Sequence, residues 1–355
     1  MRPFSFGRIL VAGVVAALIV AACGQTAPTP SASSADGNSA APSVSSAPSG
    51  PPTKLTVGLG FIPSVQFAQF YLADQAGYYR DEGLEVTFQN EIDANLVPKV
   101  GQGQVDIGIS DGTSVIPAVS QGIPIKYVAT IYGTFPSIVF AKQSSGIATA
   151  ADLRGKKLGI PGKYGSSWIM LQALLQSVDL TPDDLTVVEY PDFGQGVAVQ
   201  QGAVDAATGF ANNEPVVLEL SGTDAVVLHV DDVIALPGPG LIAGQKLLDA
   251  NNHAVAAFVS ATLRAMAEVA ADPQKGLDAA IKAVPELAGD RDKQLAILNA
   301  TIATWAPPGG DATDFGAIDR DGWQASIDYL SRLGLVRNPV TVDGLVQSVG
   351  AVATD

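Results

Sequence analysis

The chain has 355 residues, a formal net charge of −15, and only two histidines and one cysteine. Such acidity without a basic run excludes a nucleic-acid partner, and a lone cysteine excludes a disulfide framework. No Cys/His/Asp cluster has metal-ligand spacing, and no G-x-S-x-G elbow, P-loop or dinucleotide fingerprint occurs, so no resident cofactor is expected.

The chain opens as an export signal. Arg2 and Arg8 form a basic start, residues 9–22 are apolar, and small side chains close the run. The run falls short of the roughly 20 residues that a membrane-spanning helix needs. Val20-Ala21-Ala22-Cys23 resembles a bacterial lipobox, in which the cysteine is lipidated and becomes the mature N-terminus. Residues 24–52 contain no Lys, Arg or aromatic side chain and are mostly Ser, Ala, Pro, Gly and Thr. Such a stretch cannot bury enough apolar surface to offset the entropy of ordering it, and it reads as a tether spanning roughly 30 Å. The expected layout is a signal peptide over 1–22 and a lipidated Cys23 with its tether over 23–52. Together they hold an exported, lipid-anchored domain at the outer face of the cell membrane.

From residue 53 onward, short apolar strands alternate with helical segments. Strands are expected at 55–59, 84–88, 105–109 and 125–131, with helices at 65–79, 92–100 and 113–121. After Ala141 the pattern restarts, with strands at 157–160, 185–189 and 204–208 and helices at 166–178 and 194–201. This alternation implies parallel sheets with crossover helices. A strand at 240–243 returns to the first unit, and helices follow at 254–271, 273–284, 290–305 and 322–333, with Trp305 and Trp323 as core residues.

A repeated segment points to two similar lobes. Residues 101–108 (GQGQVDIG) and 199–207 (VQQGAVDAA) each place glycine where a helix ends, and Asp106 or Asp205 where a buried strand opens. Residues 53–355 exceed one ordinary core and suit two lobes. Lobe 1 is expected over 53–140 plus 230–355 and lobe 2 over 141–229, with hinge crossings near Phe140 and Leu228.

Several short motifs then carry a family resemblance. Phe61-Ile62-Pro63-Ser64-Val65-Gln66-Phe67 and Tyr71-Leu72-Ala73 resemble a W-x-P-N-x-N-H-x-x-x-Y-x-A opening, and Gly77-Tyr78-Tyr79-Arg80-Asp81-Glu82-Gly83-Leu84 resembles G-Y-F-x-x-E-G-L. Asp106-Ile107-Gly108-Ile109-Ser110, Gly122-Ile123-Pro124, Asp152-Leu153-Arg154-Gly155-Lys156-Lys157 and Asn213-Glu214-Pro215 continue the match. These segments resemble type II periplasmic binding proteins of the branch that serves ABC importers of thiamine pyrimidine precursors, riboflavin, nitrate and alkanesulfonates. The resemblance implies the type II periplasmic-binding-protein fold: two α/β lobes, a two-crossing hinge and a ligand in the interlobe cleft. It also implies a monomer partnered by an ABC permease and its ATPase, with exposed acidic residues docking on the permease. Some relatives of this fold are enzymes that make the pyrimidine from a histidine with a bound cofactor. They carry a cysteine-rich cluster, which this chain lacks, so the resemblance implies a receptor without catalytic residues.

Ligands of open α/β sheets bind outside the carboxyl ends of the strands. That rule selects loops 60–67, 110–114 and 131–137 in the first lobe, and 161–168, 190–194 and 208–214 in the second. They contain nine aromatics: Phe61, Phe67, Tyr132, Phe135, Tyr164, Trp168, Tyr190, Phe193 and Phe210. About half of these are expected to cap the core, and Tyr132, Tyr164 and Tyr190 are favoured as ligand contacts because an amphipathic ring can stack and hydrogen-bond at once. Ser64, Gln66, Asp111, Thr113, Ser166, Ser167, Asn212, Asn213 and Glu214 supply polar groups, while Asp111 and Glu214 suit helix capping equally well. Lys163 is the one cation in these loops. A receptor for an anion must compensate its charge, so this set suits a flat neutral heterocycle. Where pyrimidine-precursor receptors keep Asn and His, this chain has Ser64, Gln66 and Phe67. That departure favours riboflavin over the pyrimidine precursor, with sulfonate, taurine and nitrate behind.

Overall fold

The computed structural model of the protein describes residues 50–90, 93–234, 236–306 and 315–349. Cys23, the export segment and the tether as far as residue 49 lie outside the described residues. The strands are β1 (Thr53–Gly58), β2 (Leu84–Gln89), β3 (Ile107–Ser110), β4 (Ile125–Thr130), β5 (Ser137–Lys142), β6 (Lys157–Ile160), β7 (Thr186–Glu189), β8 (Ala206–Phe210), β9 (Ala225–His229) and β10 (Gly240–Gly244). They form two five-stranded sheets, ordered β2-β1-β3-β10-β4 and β7-β6-β8-β5-β9.

The two sheets share one topology, and the repeated segment explains part of it. Asp106 Oδ2 accepts the Thr56 N–H at 2.8 Å, and Asp205 Oδ2 accepts the Lys157 N–H at 2.8 Å. Each aspartate thus ties the strand it precedes to the parallel strand beside it, β1 for β3 and β6 for β8. Gly103 (φ +70°) and Gly202 (φ +73°) turn the chain out of the preceding helix in the left-handed region that glycine enters freely.

Neither sheet is purely parallel, which corrects the expectation from alternation. β10 runs antiparallel to β3 and β4, and β5 runs antiparallel to β8 and β9. β5 was not expected as a strand. Its buried run lacks alternation because Ile138 and Phe140 pack on one face of the sheet while Val139 and Ala141 pack on the other. The first crossing between sheets therefore falls at 131–136, after β4, and not near Phe140, which pairs with Ala207 and Val227. Leu228 likewise lies inside β9, paired with Val139, so the return crossing falls at 230–239.

The helices are α1 (Ala68–Ala76), α2 (Tyr78–Asp81), α3 (Asp93–Gly101), α4 (Gly112–Ser120), α5 (Gly165–Gln176), α6 (Gln195–Gln201), α7 (Glu214–Leu220), α8 (Gln245–Ala271), α9 (Pro273–Ala283), α10 (Arg291–Ala303), α11 (Arg320–Arg332) and α12 (Val342–Leu345). The single helix expected at 65–79 is broken: a 3₁₀ turn at Val65–Phe67 leads into α1, and Gly77 at φ +85° separates α1 from α2. The long apolar helix α8 is a core element, kinked at Asn251, whose Oδ1 accepts the Ala254 N–H at 3.1 Å.

Three buried clusters hold these layers. One joins the first sheet to α1, α8, α9 and α10, where Tyr79 stacks on Phe258 at 4.9 Å and 6°. A second runs from the opposite face of that sheet through α4, α5 and α11 onto β5 and β6, so the two lobes share apolar core along one side. Trp323 meets Tyr127 edge-on there at 4.8 Å, and Trp305 is buried in the first cluster. The third lies under α6 and α7. Each large apolar side chain buried here contributes roughly 1.5–3 kcal/mol.

Candidate functional site

The carboxyl ends of the two sheets face one another across a cleft of about 180 Å³. The first wall begins after β1, where Gly60 (φ +72°) would bring a side chain 3.1 Å from the Ile109 carbonyl. Beyond it, Ser64 Oγ accepts the backbone and side-chain N–H groups of Gln66, each at 3.3 Å. The buried Tyr71 hydroxyl accepts the Ser64 N–H, and burial pushes its pKa up to about 12. These contacts present Phe61, Gln66 and Phe67 to the cleft, together with Ser110, Asp111 and Tyr132 from the ends of β3 and β4. The opposite wall supplies Tyr164, Ser166 and Ser167 after β6, Phe193 and Gln195 after β7, and Phe210, Asn213 and Glu214 around the end of β8.

Two features bridge the walls. Phe61 and Phe193 meet edge to face, with ring centroids 5.2 Å apart at 86°. Phe193 holds φ +60°, a conformation that a bulky residue adopts only when its surroundings impose it. Deeper in, the fully buried Asn212 donates from Nδ2 to Gln66 Oε1 and to Thr301 Oγ1, both at 2.9 Å. These contacts join the two lobes across the cavity.

The cleft is aromatic, and among the described residues no Lys, Arg or His lines it. Lys163 is exposed and sits 5.8 Å from the Trp168 ring centroid, outside the lining. The two lining carboxylates have structural partners. Asp111 caps α4, with Oδ1 accepting the Thr113 N–H at 2.8 Å, the Thr113 hydroxyl at 2.6 Å and the Ser114 N–H at 3.3 Å. Glu214 opens α7, and its Oε2 accepts the Phe210 N–H at 2.8 Å. Burial raises the Glu214 pKa, against the lowering effect of that N–H. Gly209 permits this placement, since a Cβ there would lie 2.9 Å from the Glu214 carboxylate.

Eleven residues selected from sequence line the cleft: Phe61, Gln66, Phe67, Asp111, Tyr132, Tyr164, Ser166, Ser167, Phe193, Asn213 and Glu214. Four others do not. Ser64 and Thr113 are turned into capping bonds, and Asn212 lies behind Gln66. Tyr190, favoured for its amphipathic ring, is half-buried against the cluster under α6 and α7 because β7 is an edge strand that needs cover on that face. Among the other loop aromatics, Phe135 and Trp168 pack into the shared core, while Phe210 joins the lining. Ser110 and Gln195 were missed. Ser110 reads as the end of a strand, and nothing about Gln195 in sequence separates it from its neighbours Gln200 and Gln201.

A family model described as NMT1/THI5 like matches residues 64–276, more than half of the chain. The chain belongs to the NMT1/THI5-like family. Within reach of this family, the chain is 34% identical over 341 residues to a riboflavin-binding protein, RibY, of Chloroflexus aurantiacus, covering 94% of this chain and 95% of that one. It is also 27% identical over 253 residues to a 4-amino-5-hydroxymethyl-2-methylpyrimidine phosphate synthase of Saccharomyces cerevisiae, covering 67% of this chain and 73% of that one. Among solved structures, the periplasmic aliphatic sulphonate binding protein SsuA of Escherichia coli superposes with a TM-score of 0.66 at 18% identity, covering 83% of this chain and 97% of that one. A Candida albicans protein described as having the generic periplasmic binding protein fold superposes at 0.60 and 15% identity, covering 86% and 99%. The NMT1/THI5-like chain therefore has the periplasmic-binding-protein fold.

Proposed function

We propose that this protein is the solute receptor of an ABC importer, capturing a flat, neutral heteroaromatic vitamin, with riboflavin as the ligand favoured. The observation that carries this reading is the cleft itself, which among the described residues is walled by six aromatic rings from two lobes and lined by no cation. Rings supply stacking surface for a planar ligand, whereas a sulfonate or nitrate would be left uncompensated beside Asp111 and Glu214. The similarity to a riboflavin-binding protein along nearly the whole chain supports the same ligand class. Cys23 in its lipobox would anchor the exported receptor, and the permease and its ATPase would be its partners.

The pyrimidine phosphate synthases among the relatives favour a second reading, binding or synthesis of the aminopyrimidine. Phe67 stands where that reading needs a histidine, and among the described residues no His or Cys lines the cleft. Receptor function without turnover is the better fit.

The test is titration of the purified domain with riboflavin, a hydroxymethyl aminopyrimidine, taurine and nitrate, followed by intrinsic fluorescence and thermal shift. Riboflavin at a hundredfold excess over its Kd should stabilise the protein by about 2.7 kcal/mol. A shift with taurine and none with riboflavin or the aminopyrimidine refutes the neutral-heterocycle reading. Recovery of a chemically altered ligand refutes the receptor reading.

A further inference from the structure

The polar groups of the cleft are unequally available to a ligand. Gln66 is engaged at both ends, its Oε1 by Asn212 and its Nε2 by Ser64 Oγ. Asp111 and Glu214 each accept backbone N–H groups. Two side chains not anticipated from sequence differ. Ser110 and Gln195 line the cleft and are 3% and 2% exposed, and their Oγ and Oε1 atoms are buried without a hydrogen-bond partner among the described residues.

The orientation of Gln195 follows from what lies behind it. Its Nε2 donates to the Thr208 carbonyl on β8 at 3.4 Å. A carbonyl can only accept, so the amide nitrogen faces the strand and Oε1 is turned away from it. Gly159 on β6 makes room for this seat, since a Cβ there would lie 3.1 Å from the Gln195 Cβ. The result is a rigid acceptor with no donor, on the second lobe. Ser110, at the end of β3, offers a rotatable hydroxyl from the first lobe. Native interiors leave few such groups unpaired, and those that occur in a cleft mark where a partner is missing.

We propose that Gln195 Oε1 and Ser110 Oγ together read the polar edge of the ligand. Gln195 accepts a ring N–H, and the Ser110 hydroxyl donates to an adjacent ring carbonyl. The ligand class is then a planar heterocycle with a lactam or imide edge, such as the pyrimidinedione side of a flavin. This assignment rests on the neutral-heterocycle reading above and adds the edge that is recognised.

The test uses Gln195→Met, which keeps length but removes the acceptor, and Ser110→Ala. Each is melted without ligand, then titrated with riboflavin, 3-methylriboflavin and lumichrome beside the wild type. Without ligand, Gln195→Met should melt close to wild type, because losing the long Nε2–Thr208 bond is offset by removing a buried oxygen that lacks a donor. Riboflavin affinity should fall on the order of tenfold in each variant. Wild type should discriminate against 3-methylriboflavin, whose imide N–H is blocked, and Gln195→Met should lose that discrimination. The assignment is overturned if Gln195→Met melts lower and still discriminates, since Gln195 is then a structural residue. It is equally overturned if both variants bind whichever panel compound the wild type binds with unchanged affinity. Failure of the riboflavin reading itself would appear in the wild type alone.

Discussion

Replacing Asn212 by Ala tests whether the closed cleft is the form that the protein holds in solution. Asn212 leaves the end of β8 on one lobe and donates to Gln66 after β1 and to Thr301 on α10, both on the other. Losing these two bonds costs about 1 kcal/mol each. Gln66 Oε1 is then left buried without that donor, but the variant also removes Asn212 Oδ1, which has no partner now, and these two effects roughly cancel. The small cavity left by the side chain adds about 1 kcal/mol. The expected loss is therefore about 3 kcal/mol, or roughly 6 °C in Tm for a domain of this size. Thr301→Val, which leaves the Gln66 bond intact, should lose about 1 kcal/mol. Differential scanning calorimetry of the ligand-free domain measures both. A Tm drop below about 2 °C for Asn212→Ala would show that water already satisfies these groups, with the lobes apart before ligand arrives.

Asp231 lies in the return crossing and accepts the N–H groups of Phe135, in the first crossing, and of Leu236; burial raises its pKa from 3.8 to about 6. Between those values the folded state binds more protons than the unfolded state, so stability should fall as pH rises through the window. Asp231→Asn should flatten that part of a Tm-against-pH curve, and an unchanged slope would remove Asp231 as its source. Tyr164→Ala should weaken riboflavin binding by on the order of 1 kcal/mol, whereas Tyr190→Ala should lower Tm and leave affinity nearly unchanged. Equal affinity losses, measured by fluorescence titration, would contradict the placement of Tyr190 outside the lining. Cys23→Ser should release the exported domain from membranes while leaving it folded; continued sedimentation with membranes after a high-salt wash would place the anchor elsewhere.

Much of this architecture is written locally. The periods of apolar residues mark most strands and helices, and the pair Asp106 and Asp205 announces two lobes because each does the same job one sheet apart. The strand-end rule likewise locates the cleft, since helix starts and strand ends converge wherever crossovers are right-handed. What local pattern cannot convey is strand partnership. β5 and β10 are apolar runs like their neighbours, and only the sheets they join make them antiparallel and move the crossings away from Phe140 and Leu228.

The same division holds for the site. Sequence alone determined that the strand-end loops are aromatic and poor in cations, because residue type sets charge and stacking capacity wherever the fold puts it. Only the tertiary structure decided which polar groups remain available. Gln66 and Asp111 look like ligand groups in a loop, yet each is engaged by partners that approach it in three dimensions. Ser110 and Gln195 look ordinary in the chain, and the fold leaves the Oγ of one and the Oε1 of the other unpaired. Hydrogen-bond capacity belongs to a residue, but whether that capacity is filled depends on neighbours distant in sequence.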